Sequence, residues 1–301
     1  MQRITWYSLL VVTALVAPIA GRAQTPPTQT PQPKVREIAT IPGVSVKNTH
    51  RMPNGRVVLY AVGDGIFAYD LASKRSRLVT RGFDGELGMS PAGDRVAYDH
   101  ESSFIWSTPI DPTTGAATGP AQRVTVREGD EPSFSPDGKL IAFEGFGGRT
   151  TNLLAVVPVT GGPERVLAEY DATIHNIWWS VDGKWVFVKL GRSKIERVPA
   201  AGGPSETLIS ISGRLEGPFD GQIVFYRLDA LAQSEGRMAY TTTSGTRGEF
   251  RIPPESSFNG GIGSNYTALS LLTTVSTWET TPTSTIYELD MTPLLKAVIK
   301  R

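Results

Sequence analysis

The segment Phe134-Ser135-Pro136-Asp137-Gly138-Lys139-Leu140-Ile141-Ala142-Phe143 reads as a tight β-hairpin, with an apolar run on each side of a four-residue turn. Proline fixes φ at the first corner, aspartate bonds its own backbone, and glycine takes the left-handed conformation that lets the strands pair. Asp-Gly turns occur in any β protein, so one copy decides little. The phrase recurs, however. Pro53-Asn54-Gly55-Arg56, Pro91-Ala92-Gly93-Asp94, Val181-Asp182-Gly183-Lys184 and Phe219-Asp220-Gly221-Gln222 stand in the same setting. Their glycines step by 38, 45, 45 and 38 residues along the chain. Each is followed by a short β-rich run: Val57–Tyr60, Val96–Tyr98, Leu140–Phe143, Trp185–Val188 and Ile223–Tyr226. A period near 40 residues marks an array of small antiparallel sheets rather than an irregular sandwich.

A second phrase repeats out of phase with the first. Gly161-Gly162-Pro163-Glu164 and Gly202-Gly203-Pro204-Ser205 lie 41 residues apart, and Gly119-Pro120 is a partial copy. Each joins a run such as Asn152–Val159 or Lys194–Pro199 to a shorter one such as Glu164–Ala168 or Glu206–Ser210. Two turn phrases per period give four strands per repeat, which is one blade of a β-propeller.

The Ser-Pro-Asp-Gly turn resembles the repeat of the TolB-type six-bladed propellers. The likeness is clear over about Thr49–Ser210 and fades beyond. It implies an all-β fold, a six-bladed β-propeller of four-stranded antiparallel blades. Length agrees: from Val35 to Arg301 there are 267 residues, about 44 for each of six blades, whereas seven blades would have about 38. Past Thr241 no clear phrase survives, although Thr285–Asp290 resembles a third strand. Two segments compete to close the ring as the last strand of the final blade, Val35–Thr40 near the start and Leu294–Ile299 near the end. Either closure removes the free edge that an open sheet would expose.

Upstream of the repeats the chain reads as an address. Met1–Ala23 carries Arg3, an apolar run from Leu9 to Ala17, and Gly21 and Ala23 before a cut at Gln24. That is the order of a secretory signal peptide, and the run is too short to span a bilayer. No cysteine follows it, so a lipid-anchored form is not expected. Gln24–Lys34, rich in Pro, Thr and Gln, reads as an extended tether to a propeller over 35–301. The expected product is periplasmic or secreted, monomeric, and without a transmembrane segment.

Composition excludes several chemistries. The 301 residues include no Cys, which removes disulfides, thiolate nucleophiles and Cys-ligated metals. With 30 Lys+Arg against 29 Asp+Glu there is no basic excess for nucleic acid. The 31 Gly and 22 Pro exceed their usual joint share of about 12%; part of the Pro sits in the tether, and much of the rest recurs in the turn phrases. No G-x-S-x-G, P-loop or H-E-x-x-H motif occurs. The α/β-hydrolase domain that prolyl oligopeptidase relatives add to a propeller is not expected within these 301 residues.

Propeller sites usually lie where loops enter the innermost strands. Counting back seven residues from each turn glycine gives Asn48, Glu86, Glu131, Asn176 and Arg214. One position earlier stand Lys47, Gly85, Asp130, His175 and Gly213. The first set is polar throughout, and adjacent blades contribute Glu86 and Glu131. Such carboxylates suit a basic peptide segment entering the channel, or a hard cation such as calcium or manganese held by Glu86 and Glu131. Solvated loop starts are polar in any case. His50, His100 and His175 are spread over different blades, which suits structural roles better than a shared metal. Trp178, Trp179, Trp185, Phe134, Phe143 and Phe187 fall at strand positions and are expected to pack blades together. The leading expectation is a non-catalytic propeller that binds a protein or peptide at its channel face, as the resemblance to cell-envelope scaffolds implies. The alternative is a small hydrolase or lyase, lactonase-like or sugar-lyase-like, using a divalent cation at the mouth.

Overall fold

A computed structural model describes residues 31–101, 103–148, 151–211, 214–219, 222–227, 235–254, 270–278 and 281–299. The expected signal peptide and most of the tether lie outside these residues. The period seen in the sequence becomes six separate antiparallel sheets. Blade one pairs Lys47–Arg51, Val57–Val62, Gly65–Asp70 and Arg75–Arg81 in order from the inside outwards. Blade two pairs Leu87–Met89, Arg95–His100, Phe104–Pro109 and Gln122–Arg123. Blade three has Gly129–Phe134, Leu140–Phe146, Asn152–Pro158 and Arg165–Tyr170. Blade four has Ile174–Trp179, Trp185–Leu190, Lys194–Pro199 and Glu206–Ser210. Blade five has Arg214–Phe219, Ile223–Arg227, Arg237–Thr242 and Arg247–Arg251. In blade six, among the described residues, Ser270–Trp278 pairs with Pro282–Asp290, which pairs in turn with Lys34–Pro42.

The ring therefore closes with the N-terminal of the two competing segments. Lys34 stands opposite Asp290 and Pro42 opposite Thr283, with one register break between Glu37 and Ala39. Leu294–Ile299 is mostly helical instead: Thr292–Val298 forms a short helix with Pro293 in its first turn, and buries Leu294 and Leu295 against blade five. Among the described residues no helix is long and apolar enough to cross a membrane.

The turn phrase supplies its own bonds. Ser135 N–H and Leu140 O close the hairpin at 2.9 Å, and Gly138 N–H donates to Ser135 O at 2.9 Å with φ +70°. Asp137 Oδ1 accepts from Ser135 Oγ at 2.7 Å and from Lys139 N–H at 3.1 Å. Ser180 and Asp182 repeat this set in blade four, so replacing the proline by Val181 leaves the turn intact.

The second strands of blades one to five are largely apolar on both faces because each face meets a neighbouring blade. Val57, Leu59 and Ala61 join a cluster with Leu87, Met89 and Tyr98 of blade two, while Val58 and Tyr60 meet Ala39, Ile41 and Ile286 of blade six. Ile141 and Phe143 pack toward blade two and Ala142 toward blade four. Phe134, Phe143, Trp178, Trp179 and Phe187 are all buried in these seams, as expected of strand aromatics. Trp185 departs from that expectation: it is half-buried and lines a cleft. At the seam between blades six and one, Glu288 receives Arg36 from the closing strand and Arg51 from blade one.

Candidate functional site at the channel mouth

Inner strands run from the mouth toward the Asp-Gly turns, so residues seven before the turn glycine and six after it meet at the same end. The inner strands of blades one, three, four and five all break register there: between Lys47 and His50, Asp130 and Ser133, Ile174 and Asn176, and Leu215 and Gly217. Asn48 at φ +45° and Glu131 at φ +55° sit in these breaks. A bulge takes its residue out of the two-fold alternation that would otherwise bury it between blades. That is why a polar side chain recurs at this position.

The expected residues have different neighbours. Asn48 is buried, and its Nδ2 donates to Gly85 O at 2.6 Å, tying blade one to blade two. Asn176 bridges two charges: its Nδ2 donates to Glu131 Oε2 at 3.3 Å while its Oδ1 accepts from Lys189 Nζ at 2.9 Å. His175 is exposed at the rim and close enough to Asp130 to favour its charged form. Arg214 opens the inner strand of blade five; its side chain lies outside the description. His50 is buried and donates through Nε2 to Leu87 O at 2.7 Å, a structural tie between blades. His100 lies between Asp84 and Glu101, each at 3.8 Å.

Three charged residues of the site escaped the backward count because they stand on the second strand. Asp99, Glu144 and Lys189 lie six residues after Gly93, Gly138 and Gly183, and all three are buried. Ala61 and Arg227 occupy the same position in blades one and five. Counting forward as well as backward from the glycines would have found them. Asp130 pairs with Glu144 in register, and their carboxyl groups share a hydrogen bond. Glu144 Oε1 also accepts from Ile174 N–H of blade four at 3.0 Å. Asp99 Oδ1 accepts from Glu86 N–H at 2.5 Å.

Glu86, Asp99, Asp130, Glu131 and Glu144 thus crowd one side of the mouth, and the crowding shows in their protonation. Burial, then Asp99 and Asp130, push Glu86 up to about 7, against the pull of Lys189 and Lys47. Burial and the hydrogen bond to Asp130 push Glu144 up to about 8. Glu131 is raised well above the usual range by burial and then by Glu86, Asp130 and Glu144. Burial also raises Asp99 and Asp130. Like charges packed together cannot all ionise, so this side of the mouth holds protons near neutral pH. Such a site can exchange protons for an incoming cation, and a carboxyl near 7 can also act as an acid or base. Among the described residues, no three His, Asp or Glu side chains are disposed to hold a metal ion, so Glu86 and Glu131 stand without a third ligand of that kind.

The fold has solved counterparts. A putative TolB from Agrobacterium tumefaciens superposes with a TM-score of 0.57 at 18% identity, covering 73% of this chain and 84% of its own. TolB from Acinetobacter baumannii gives 0.54 at 18%, covering 70% of this chain and 55% of its own length. An oligogalacturonate lyase in complex with manganese gives 0.53 at 13%, covering 80% and 76%. No protein-family model and no curated protein matches the sequence. The likeness to TolB propellers is therefore one of fold, and it agrees with the six sheets and with the resemblance read in the turns.

Proposed function

We propose that this chain is an exported, non-catalytic binding propeller that takes a cationic segment of a partner protein at the channel mouth. Glu86, Asp130 and Glu131 supply the charge, while Asn48, Asn176, His175 and Arg214 complete the rim. The convergence of five carboxyl groups from blades two and three, two of them found only through the fold, is the observation that supports this reading. Shedding a proton as an ammonium or guanidinium arrives relieves the repulsion among them. The TolB propellers among the fold neighbours support a binding module, and the signal peptide reading supports export.

Fluorescence anisotropy with a labelled Lys/Arg-rich peptide and an acidic control tests the mouth. The basic peptide should bind, and Glu86→Gln with Glu131→Gln should weaken it about tenfold, a loss of roughly 1.4 kcal/mol. Equal binding of the acidic peptide, or no change in the double variant, would overturn the reading. Stabilisation by calcium or manganese that vanishes in the same variant would point to a cation site instead. Export is tested separately: N-terminal sequencing of the mature protein should begin at Gln24.

A further inference from the structure

The seam between blades four and five carries a valine where the turn phrase of blades one to three has proline. Among the described residues it buries Trp178, Phe187, Ile195 and Val224, with Trp185, Leu208 and Tyr226 packed against them. The turns of blades two and four pack on those of blades one and three, whereas a Cβ on Gly138 of blade three would have nothing within 4 Å. A Cβ built on Gly93 would lie 2.7 Å from Pro53 Cδ, and one on Gly183 would lie 3.8 Å from Pro136 Cδ. Blade four lacks that proline, and Val181 in its place is 48% exposed. A cleft of about 690 Å³ opens beside it, at the turn end of the strands and thus on the face away from the carboxyl cluster. A second hollow of about 370 Å³ shares Gln222 and Thr243 with it and reaches Val298 and Ile299. Ligand clefts fall in the same range, about 300–1,000 Å³.

The walls indicate what would fit. Arg197 lies over the Trp185 ring at 4.4 Å, while its Nε and Nη2 both donate to Glu206 Oε2, at 2.9 and 2.6 Å. Asp182 accepts from Ser180 Oγ and Lys184 N–H, and Lys184 Nζ stands 3.1 Å from it. The charges are thus already matched within the protein, which leaves no excess to attract an ionic ligand. Around them stand an indole wall, the Gln222 amide, and the Thr207 and Thr243 hydroxyls. Aromatic surface beside an amide, hydroxyls and fixed carboxylates complements a molecule that is apolar on its CH face and rich in neutral hydroxyls.

We propose that this cleft binds a neutral saccharide. The site is independent of the mouth. Isothermal titration with chitotetraose and with maltotetraose tests it on the full mature chain. At least one should bind saturably, and Gln222→Ala with Thr243→Ala should weaken it about tenfold, or roughly 1.4 kcal/mol. Trp185→Phe should also weaken binding, with an unchanged circular dichroism spectrum showing that the fold is kept. Glu86→Gln with Glu131→Gln should leave saccharide affinity unaltered. Absence of binding by both tetrasaccharides would overturn the proposal. So would affinity that none of the cleft variants changes, or tighter binding of a neutral Gly-Ser tetrapeptide.

Discussion

Asp130 and Glu144 face each other across the first two strands of blade three and share a hydrogen bond that requires one of them to keep its proton. Because Glu144 also accepts from Ile174 N–H, this carboxyl pair is part of the seam between blades three and four as well as of the mouth. Its protonation is consequently linked to stability.

Glu144 has a folded pKa of about 8 against an ordinary value of 4.5. Below 4.5 both folded and unfolded chains hold the proton, and between 4.5 and 8 only the folded chain does. Stability from this group therefore falls as pH rises through that window. Glu144→Gln keeps a donor for Asp130 without titrating. The variant should melt above the wild type at pH 9, by about 2 °C or more, with the gap closing toward pH 4.5. Scanning calorimetry across that range checks it.

His50 works in the opposite sense. Burial lowers its pKa below 6.5, outweighing its bond to Leu87 O, so the folded chain prefers the neutral ring. Its contribution is whole above pH 6.5 and declines as pH falls toward the lowered folded value. His50→Gln should reduce stability at pH 8 and lose less than the wild type on moving to pH 5. Urea midpoints at the two pH values give the comparison.

The seam between blades six and one depends on Glu288. Burial raises its pKa, but the hydrogen bonds from Arg36 and Arg51 outweigh that and leave it below the ordinary value. The stability it confers is present above about pH 4.5 and is lost as pH falls through the folded value. Removing one partner leaves Arg51 half-buried without its anion. Glu288→Ala should cost about 1–3 kcal/mol at pH 7 and expose the closing strand to protease near Lys34. An unchanged melting temperature and cleavage pattern would show that strand pairing alone holds the ring.

Two glycines near the same hairpin separate backbone strain from steric contact. Gly138 sits at φ +70° with nothing within 4 Å of a built Cβ, so Gly138→Ala should cost about 1 kcal/mol, the backbone penalty alone. At Gly129 a Cβ would lie 2.0 Å from Glu144 O and 2.8 Å from Phe143 Cδ2. Gly129→Ala should cost more than about 3 kcal/mol or prevent folding, and denaturant titration ranks the two.

What could be read before the fold was seen depended on how each feature is written in the chain. Turns are local, so Pro136, Asp137 and Gly138 announce their hairpin within four residues, and the repeat carried blade number and strand order with it. The mouth positions Glu86 and Glu131 followed by counting from the glycines. Asp99, Glu144 and Lys189 stayed hidden because they sit inside apolar runs whose other members pack the seams. Only the pairing of Asp130 with Glu144 and of Asn176 with Lys189 shows that they belong to the mouth. The closing strand was one of two candidates because pairing between residues as distant as Lys34 and Asp290 leaves no local trace. The cleft beside Val181 was visible only as a missing proline.

The pairing of Lys34–Pro42 with Pro282–Asp290 also sets a timetable for folding. The strand made first has to wait until nearly the whole chain exists before it finds its partner. During synthesis and any passage across a membrane, an unpaired strand edge stays available for wrong partners. Completion of the circle is one late, long-range event, which predicts slow folding. The export proposed above would turn this delay to use, since a chain that cannot finish folding early stays loose enough to be threaded.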